Sequence, residues 1–221
     1  MINNWKKSEL MWLIISAILV VGTAIWDKAT PIELLTGIIG VVYVVMVAKG
    51  YNISNLLGII YVGIYGILAW EAKFYGDTLM NAILVPLYLV AYFIWKKHTQ
   101  DDGLVEARNL TGNQTMMLGV TIAVGILAFN FALSYMGGNY PLADGANSIL
   151  TVAAIILTIH RYSQQWICWL ANNIISTAMW VIGITSGAVD ISISIAVLKT
   201  VILINSAWGL ANWYLRGKEN N

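Results

Sequence analysis

Long apolar runs broken by short charged segments set the pattern of this chain. Leu10–Trp26, Leu34–Ala48, Gly50–Trp70 and Thr78–Trp95 carry no charge. The uncharged stretch Asn109–Ala143 has its apolar core at Thr115–Tyr135, and Gly145–Ile159 and Tyr162–Val189 follow. Ile191–Leu215 is apolar apart from Lys199. The runs are apolar throughout and do not alternate every second residue, so each predicts a helix and a membrane β-barrel is excluded. Crossing a bilayer takes roughly 20 residues, with about 17 tolerated. Eight transmembrane helices are expected, the two short runs gaining length from a helical turn at either end.

Composition agrees with this pattern. The 221 residues are 59% hydrophobic and only 10% charged, with a mean hydropathy of +0.73. A chain this long leaves roughly 30% of its surface wet after folding, too much for a soluble fold this apolar. A soluble enzyme, a nucleic-acid binder and a disordered chain are therefore excluded. The apolar run near the start lacks a small-residue cleavage site and is read as a retained span rather than a signal peptide. The lone Cys168 leaves no internal disulfide, and His98 and His160 lie far apart in the chain, so no metal site is expected.

Basic residues orient the spans. With an even number of spans and the first end inside, Lys6, Lys7, Lys49, Lys96, Lys97, Arg108, Arg161, Arg216 and Lys218 fall on the cytoplasmic side. Lys28 and Lys73 fall outside, a bias of nine to two. Both termini are then cytoplasmic.

A pattern recurs about 111 residues apart. Glu33 opens a short span closed by Lys49, then come a longer span, a loop with Gly76 and a third span ending at Trp95. Asp144 opens a short span closed by His160 and Arg161, then a longer one, a loop with Gly187 and a third span ending at Trp213. One span stands between the two trios, so both start on the same side. The expected architecture is an all-α polytopic membrane protein with an extra N-terminal helix and a 3+1+3 arrangement of parallel three-helix repeats. Its segments are residues 1–31 with a peripheral helix, 32–100, a loop and linking helix over 101–143, 144–216, and a tail at 217–221. Parallel repeats place a substrate site at their interface near the midplane.

In hydrocarbon each unsatisfied polar group costs several kcal/mol, so polar stripes on the spans are informative. Trp166, Trp169, Asn173, Thr177 and Trp180 share one face at offsets of 3, 7, 11 and 14, with Asn172 beside it. Ser194, Asn205, Trp208 and Asn212 form a second stripe, Asn81, Tyr88, Tyr92 and Trp95 a third, and Ser54, Gly58, Tyr61 and Tyr65 a fourth. Such stripes suit either interhelical hydrogen bonds or a flat polar ligand. Helix bonding is the stronger rival at Asn172, Asn205 and Asn212. Trp95, Trp166 and Trp213 lie near predicted edges, where an aromatic belt competes with a site role.

Lys199 is the charge deepest in a span and is a functional candidate by that fact. Its helical phase, about 120° from Asn205, also allows it to pair with a carbonyl or to snorkel. The acidic residues Glu33, Asp77, Asp144 and Asp190 stand at helix ends, which gives a carboxylate ion relay little support. No Walker loop, paired arginines or nucleophile constellation is present, so no cofactor and no catalytic residue are expected. An intramembrane enzyme and a purely structural membrane protein are the rival classes, and the polar–aromatic stripes favour a transporter over both.

Trp166, Trp169, Asn172 and Asn173, a W-x-x-W-x-x-x-N pattern after His160-Arg161-Tyr162, resemble the PnuC family of nicotinamide riboside transporters. Glu33 with Gly37 and Gly40, the Gly58–Gly66 stretch and Asp144 share in the resemblance, which covers residues 32–216. It implies a fold related to the SWEET transporters, a homotrimer, and a bacterial inner-membrane uniporter whose substrate is trapped by a cytosolic riboside kinase. Substrate contact is carried by resemblance to Trp169, Asn173 and Trp166. Asn172, Asn205, Asn81, Tyr88, Tyr65 and Lys199 complete the candidate set from the stripes. Tyr61 stands where relatives can carry an amide, and sister groups take thiamine, riboflavin or nucleosides, so those substrates stay open. Nicotinamide riboside is a pyridinium cation with a carboxamide and a ribose. Indole faces attract such a cation, and asparagines match its polar edges.

Overall fold

The computed structural model describes residues 5–135, 141–187 and 193–219. Asp190, the side chain of Asp144 and the last residue Asn221 lie outside the described residues. Among the described residues eight helices follow one another: α1 Lys7–Trp26, α2 Pro31–Lys49, α3 Ile53–Glu71, α4 Tyr75–Lys96, α5 Gly112–Tyr135, α6 Pro141–Ile159, α7 Gln165–Thr185 and α8 Ile193–Glu219. Seven are long and apolar enough to cross a membrane, making this a multi-pass membrane protein. The eighth, α6, has a described apolar stretch of only Gly145–Ile159.

Local chemistry sets the helix ends. Thr30 and Glu33 form a capping box: the Thr30 hydroxyl accepts from the Glu33 amide, and Glu33 Oε2 accepts from the Thr30 amide at 2.6 Å. Pro31 takes the first helical position, where no amide hydrogen is needed. The acid that opens the first trio is thus a helix-starting residue. Gly50 closes α2 in the left-handed region at φ +91°. It is therefore a helix stop and not the start of the next span, which begins at Ile53. The seventh span likewise starts later than its apolar run, because Tyr162 and Ser163 are held in a backbone pairing with Arg108.

Six helices close a ring: α2 packs on α3, α3 on α4, α4 on α6, α6 on α7, α7 on α8, and α8 on α2. α1 lies outside the ring in the groove between α2 and α8. Ser16, Val20 and Ala24 are buried there, while Leu10, Ile14 and Ile18 are exposed. Gly37 admits this contact, since a Cβ there would lie 2.5 Å from Val20. Among the described residues α5 packs on α6 alone and has no buried residue.

One end of the ring gathers the positive charge. The long connection between α4 and α5 crosses that end, with the Val105 amide donating to Gly50 O and the Arg108 amide to Arg161 O. Arg216 donates to Lys49 O and Val105 O, which ties the end of α8 to the same layer. Lys49 pairs with Glu9 of α1 at 2.5 Å, both side chains buried. At the opposite end, the Ile193 amide donates to the Asp27 carboxylate.

Candidate functional site

The ring encloses a cavity with about 90 Å³ of water-accessible space. All nine candidates from the sequence line it: Trp166, Trp169, Asn172 and Asn173 from α7, Lys199 and Asn205 from α8, Asn81 and Tyr88 from α4, and Tyr65 from α3. Every helix of the ring contributes to its wall, because α6 supplies Thr151 and Thr158 and α2 supplies Tyr43.

The wall divides into two regions. Near the turn between α6 and α7, Trp166 is buried at 3% exposure and packs against Gly209, where a Cβ would come within 2.7 Å of its ring. Its indole nitrogen has no hydrogen-bond partner among the described residues. Trp169, one turn on, is half-buried and donates from Nε1 to Thr158 Oγ1 at 3.1 Å. Asn173 donates to Ser206 Oγ at 2.8 Å. Trp95 and Trp213, read as belt candidates with Trp166, are instead fully buried. Trp95 donates to Thr158 O and Trp213 to Ala48 O, and the two rings lie 5.3 Å apart. A belt residue faces lipid headgroups, whereas these indoles bridge helices inside the ring.

The second region is a tyrosine wall. Tyr43, Tyr61 and Tyr65 stack in succession, with centroids 5.4 and 5.7 Å apart. Tyr88 shares a 2.6 Å hydrogen bond with Tyr43 through their hydroxyls. Tyr65 donates to Asp77 Oδ2 and accepts from Trp180 Nε1. Lys199 is buried, with its ammonium 3.7 Å from the centre of the Tyr65 ring. It neither snorkels nor pairs with a carbonyl among the described residues.

The asparagines separate into two groups. Asn205 donates to Val44 O and accepts from Trp12, joining α8 to α2 and α1. Asn212 donates to Ala48 O, and Asn172 to Asn147 and Thr151. These three amides bind helices together through the donors a ligand would need. Asn81 donates to Asp77 O at 2.7 Å and also lines the cavity. On α8 Lys199, Ile202, Asn205 and Ser206 line the cavity, while the amide donors of Asn205 and Asn212 go to carbonyls of α2.

Several lining residues were outside the candidate set. Asp77 lies in the first turn of α4, yet its carboxylate lines the cavity. Its spacing of 4 and 11 residues from Asn81 and Tyr88 places it on their stripe, although it stands at a helix end. Ser206 stands seven residues after Lys199 on the same face. Tyr43 is an isolated polar position on an apolar helix, whereas Thr158 stands seven residues after Thr151 on one face of α6, and both line the cavity.

Known proteins share this architecture. A family model described as nicotinamide mononucleotide transporter matches residues 30–215. A Haemophilus influenzae protein named nicotinamide riboside transporter PnuC is 33% identical over 100% of this chain and 95% of its own length. The Neisseria mucosa protein of the same name is 26% identical over 96% of this chain and 82% of its own. The crystal structure of the vitamin B3 transporter PnuC superposes with a TM-score of 0.88 at 25% identity, covering 99% of this chain and 95% of that one. The match runs through every helix of the ring, and on it the chain belongs to the PnuC family of nicotinamide riboside transporters.

Proposed function

We propose that this protein carries nicotinamide riboside across a bacterial inner membrane by facilitated diffusion, with Trp169 stacking on the pyridinium ring and Asn173 bonding a polar edge. The observation that carries this reading is the cavity: indole faces and amides meet inside a closed ring of six helices. A desolvated cation over an indole gains up to about 2 kcal/mol. The described lining holds Lys199 and Asp77 but no arginine. A phosphomonoester dianion would therefore enter without a bidentate clamp, and this favours the riboside over the mononucleotide. Family likeness supports a homotrimer, parallel 3+1+3 repeats over segments 32–100 and 144–216, and trapping of the riboside by a cytosolic kinase, and the nine-to-two bias of basic residues supports cytoplasmic termini.

Proteoliposomes containing only this protein provide the test. Labelled riboside should equilibrate without ATP or an ion gradient. Uphill accumulation abolished by a sodium or proton ionophore would overturn the passive mechanism, and absence of flux would return the chain to the structural class. Competition by thiamine, riboflavin or deoxynucleosides in the same vesicles reads out the related substrates that Tyr61 leaves open.

A further inference from the structure

A second open space lies on the outside of the ring, in the crease between α3 and α4. It holds about 520 Å³ and is lined by Val62, Gly66 and Trp70 of α3 and by Thr78, Ala82 and Val85 of α4. Ile60 and Ile67 on α3 and Leu79 and Ile83 on α4 are exposed along this flank, and both helices are apolar enough to cross a membrane, so the crease faces hydrocarbon. From Val62 to Trp70 the helix advances eight residues, about 12 Å at about 1.5 Å each. One leaflet contributes about 15 Å of hydrocarbon, half of a core about 30 Å thick. The crease therefore runs from the membrane edge, where α3 turns into α4, most of the way to the midplane. That is the course of one acyl chain.

The mouth of the crease carries the groups that a lipid headgroup needs. Trp70 and Tyr75 meet edge to face with centroids 5.0 Å apart, and both rings are more than half exposed. Exposed aromatic pairs at a span end sit at headgroup depth. Glu71 stands one helical turn after Ile67 and continues the α3 side of the crease, and Lys73 stands in the turn itself at φ +60°. Both are exposed, and among the described residues neither joins an ion pair. One acid and one base at the end of an apolar track match a headgroup that carries both charges, its phosphate towards the lysine and its ammonium towards the glutamate. Val62 and Asn81 line both the crease and the central cavity. They form the partition between the two spaces, so an occupant of the crease supports the cavity wall from the lipid side.

We propose that the crease between α3 and α4 binds a zwitterionic phospholipid of the phosphatidylethanolamine type. One acyl chain lies along the crease from Trp70 to Val62, the phosphate meets Lys73, and the ammonium meets Glu71. The site is separate from the central cavity and holds whatever that cavity carries.

Photolabelling of the purified full-length protein in phosphatidylglycerol vesicles tests it. The probe is a trace of phosphatidylethanolamine with a diazirine midway along one acyl chain, and the adducts are mapped by mass spectrometry. Adducts should concentrate on Ile67, Ala82 and Val85, about fivefold or more above the exposed faces of α1 at Ile14 and Ile18 and of α5 at Val120 and Val124. Ala82→Trp fills the crease from an exposed position and should abolish that excess. Lys73→Glu and Glu71→Lys alter exposed charges without touching the packing, and each should lower the excess by about fivefold. A phosphatidylglycerol probe, which has no ammonium for Glu71, should label the crease less than the ethanolamine probe. Even labelling of the crease, α1 and α5 would overturn the site, as would an excess that survives Ala82→Trp. An excess unchanged in both charge variants, or equal for the two headgroups, would overturn the zwitterionic lipid as its occupant. Ready cross-linking between copies through Ala82→Cys would show that a second chain covers the crease, and this too would overturn the proposal.

Discussion

Gly209→Ala tests how tightly the tryptophan end of the cavity is built. The added methyl group would lie 2.7 Å from Cδ2, Cε3 and Cζ3 of Trp166. Carbon atoms rest at about 3.5–4.0 Å, so the ring must move by roughly 1 Å. It has little room on its other sides. Trp213 lies 6.3 Å away, fully buried and bonded to Val47 O and Ala48 O, and Trp95 packs behind it. The open direction is the cavity. Overpacking of this kind costs about 1–3 kcal/mol, which corresponds to a melting shift of roughly 2–12 °C for a chain of this size. A ring pushed into the cavity takes space that a ligand would need there, and riboside affinity should fall by about tenfold or more. Gly63→Ala is the matched control, because none of the described residues comes within 4 Å of the place its new methyl group would take. Removing a helix-interior glycine there should stabilise by roughly 0.5–1 kcal/mol and leave affinity alone. Calorimetry for affinity and a thermal melt for stability decide the matter. A Gly209→Ala protein that melts and binds like the wild type would refute the claim that Trp166 is fixed in place by its neighbours.

Trp169→Ala should weaken riboside binding by roughly 5- to 150-fold and Trp169→Phe by less, as for other base–aromatic stacks, and Asn173→Leu should reduce affinity more than melting temperature. Unchanged affinity in Trp169→Ala with the oligomer intact would show that this indole only packs. Glu9→Met removes the carboxylate that pairs with the buried Lys49 ammonium and should destabilise by up to about 3–5 kcal/mol, much of it recovered in the Glu9→Met/Lys49→Met double variant; chemical denaturation of both checks this. A reporter fused after Asn221 should be cytoplasmic, and its export would reverse the proposed orientation.

Most of the fold was legible in the chain because lipid imposes a simple rule. A backbone in hydrocarbon must bond internally, so each span is a helix with an uninterrupted apolar run. The runs from Leu10, Leu34, Thr78 and Thr115 accordingly match α1, α2, α4 and α5 to within a few residues. Residues on one helical face also find one another, which is how Trp166, Trp169 and Asn173 were identified as a group. Periodicity fixes an angle on a residue's own helix and nothing more. The rotation of that helix against its neighbours is set by close packing, as where Gly209 meets Trp166 and Gly40 meets Tyr61 and Leu198. That rotation sent the amide donors of Asn205 and Asn212 to α2 and brought Lys199 and Ser206 to the cavity. It also faced Trp95 and Trp213, which stand near the ends of α4 and α8, inward rather than towards headgroups, and carbonyls of neighbouring helices take their indole hydrogens. Depth was equally hidden. Asp77 reads as a helix-end charge along the chain, and only the ring of six helices, which folds Tyr65 and Lys199 over that end, makes it part of the cavity.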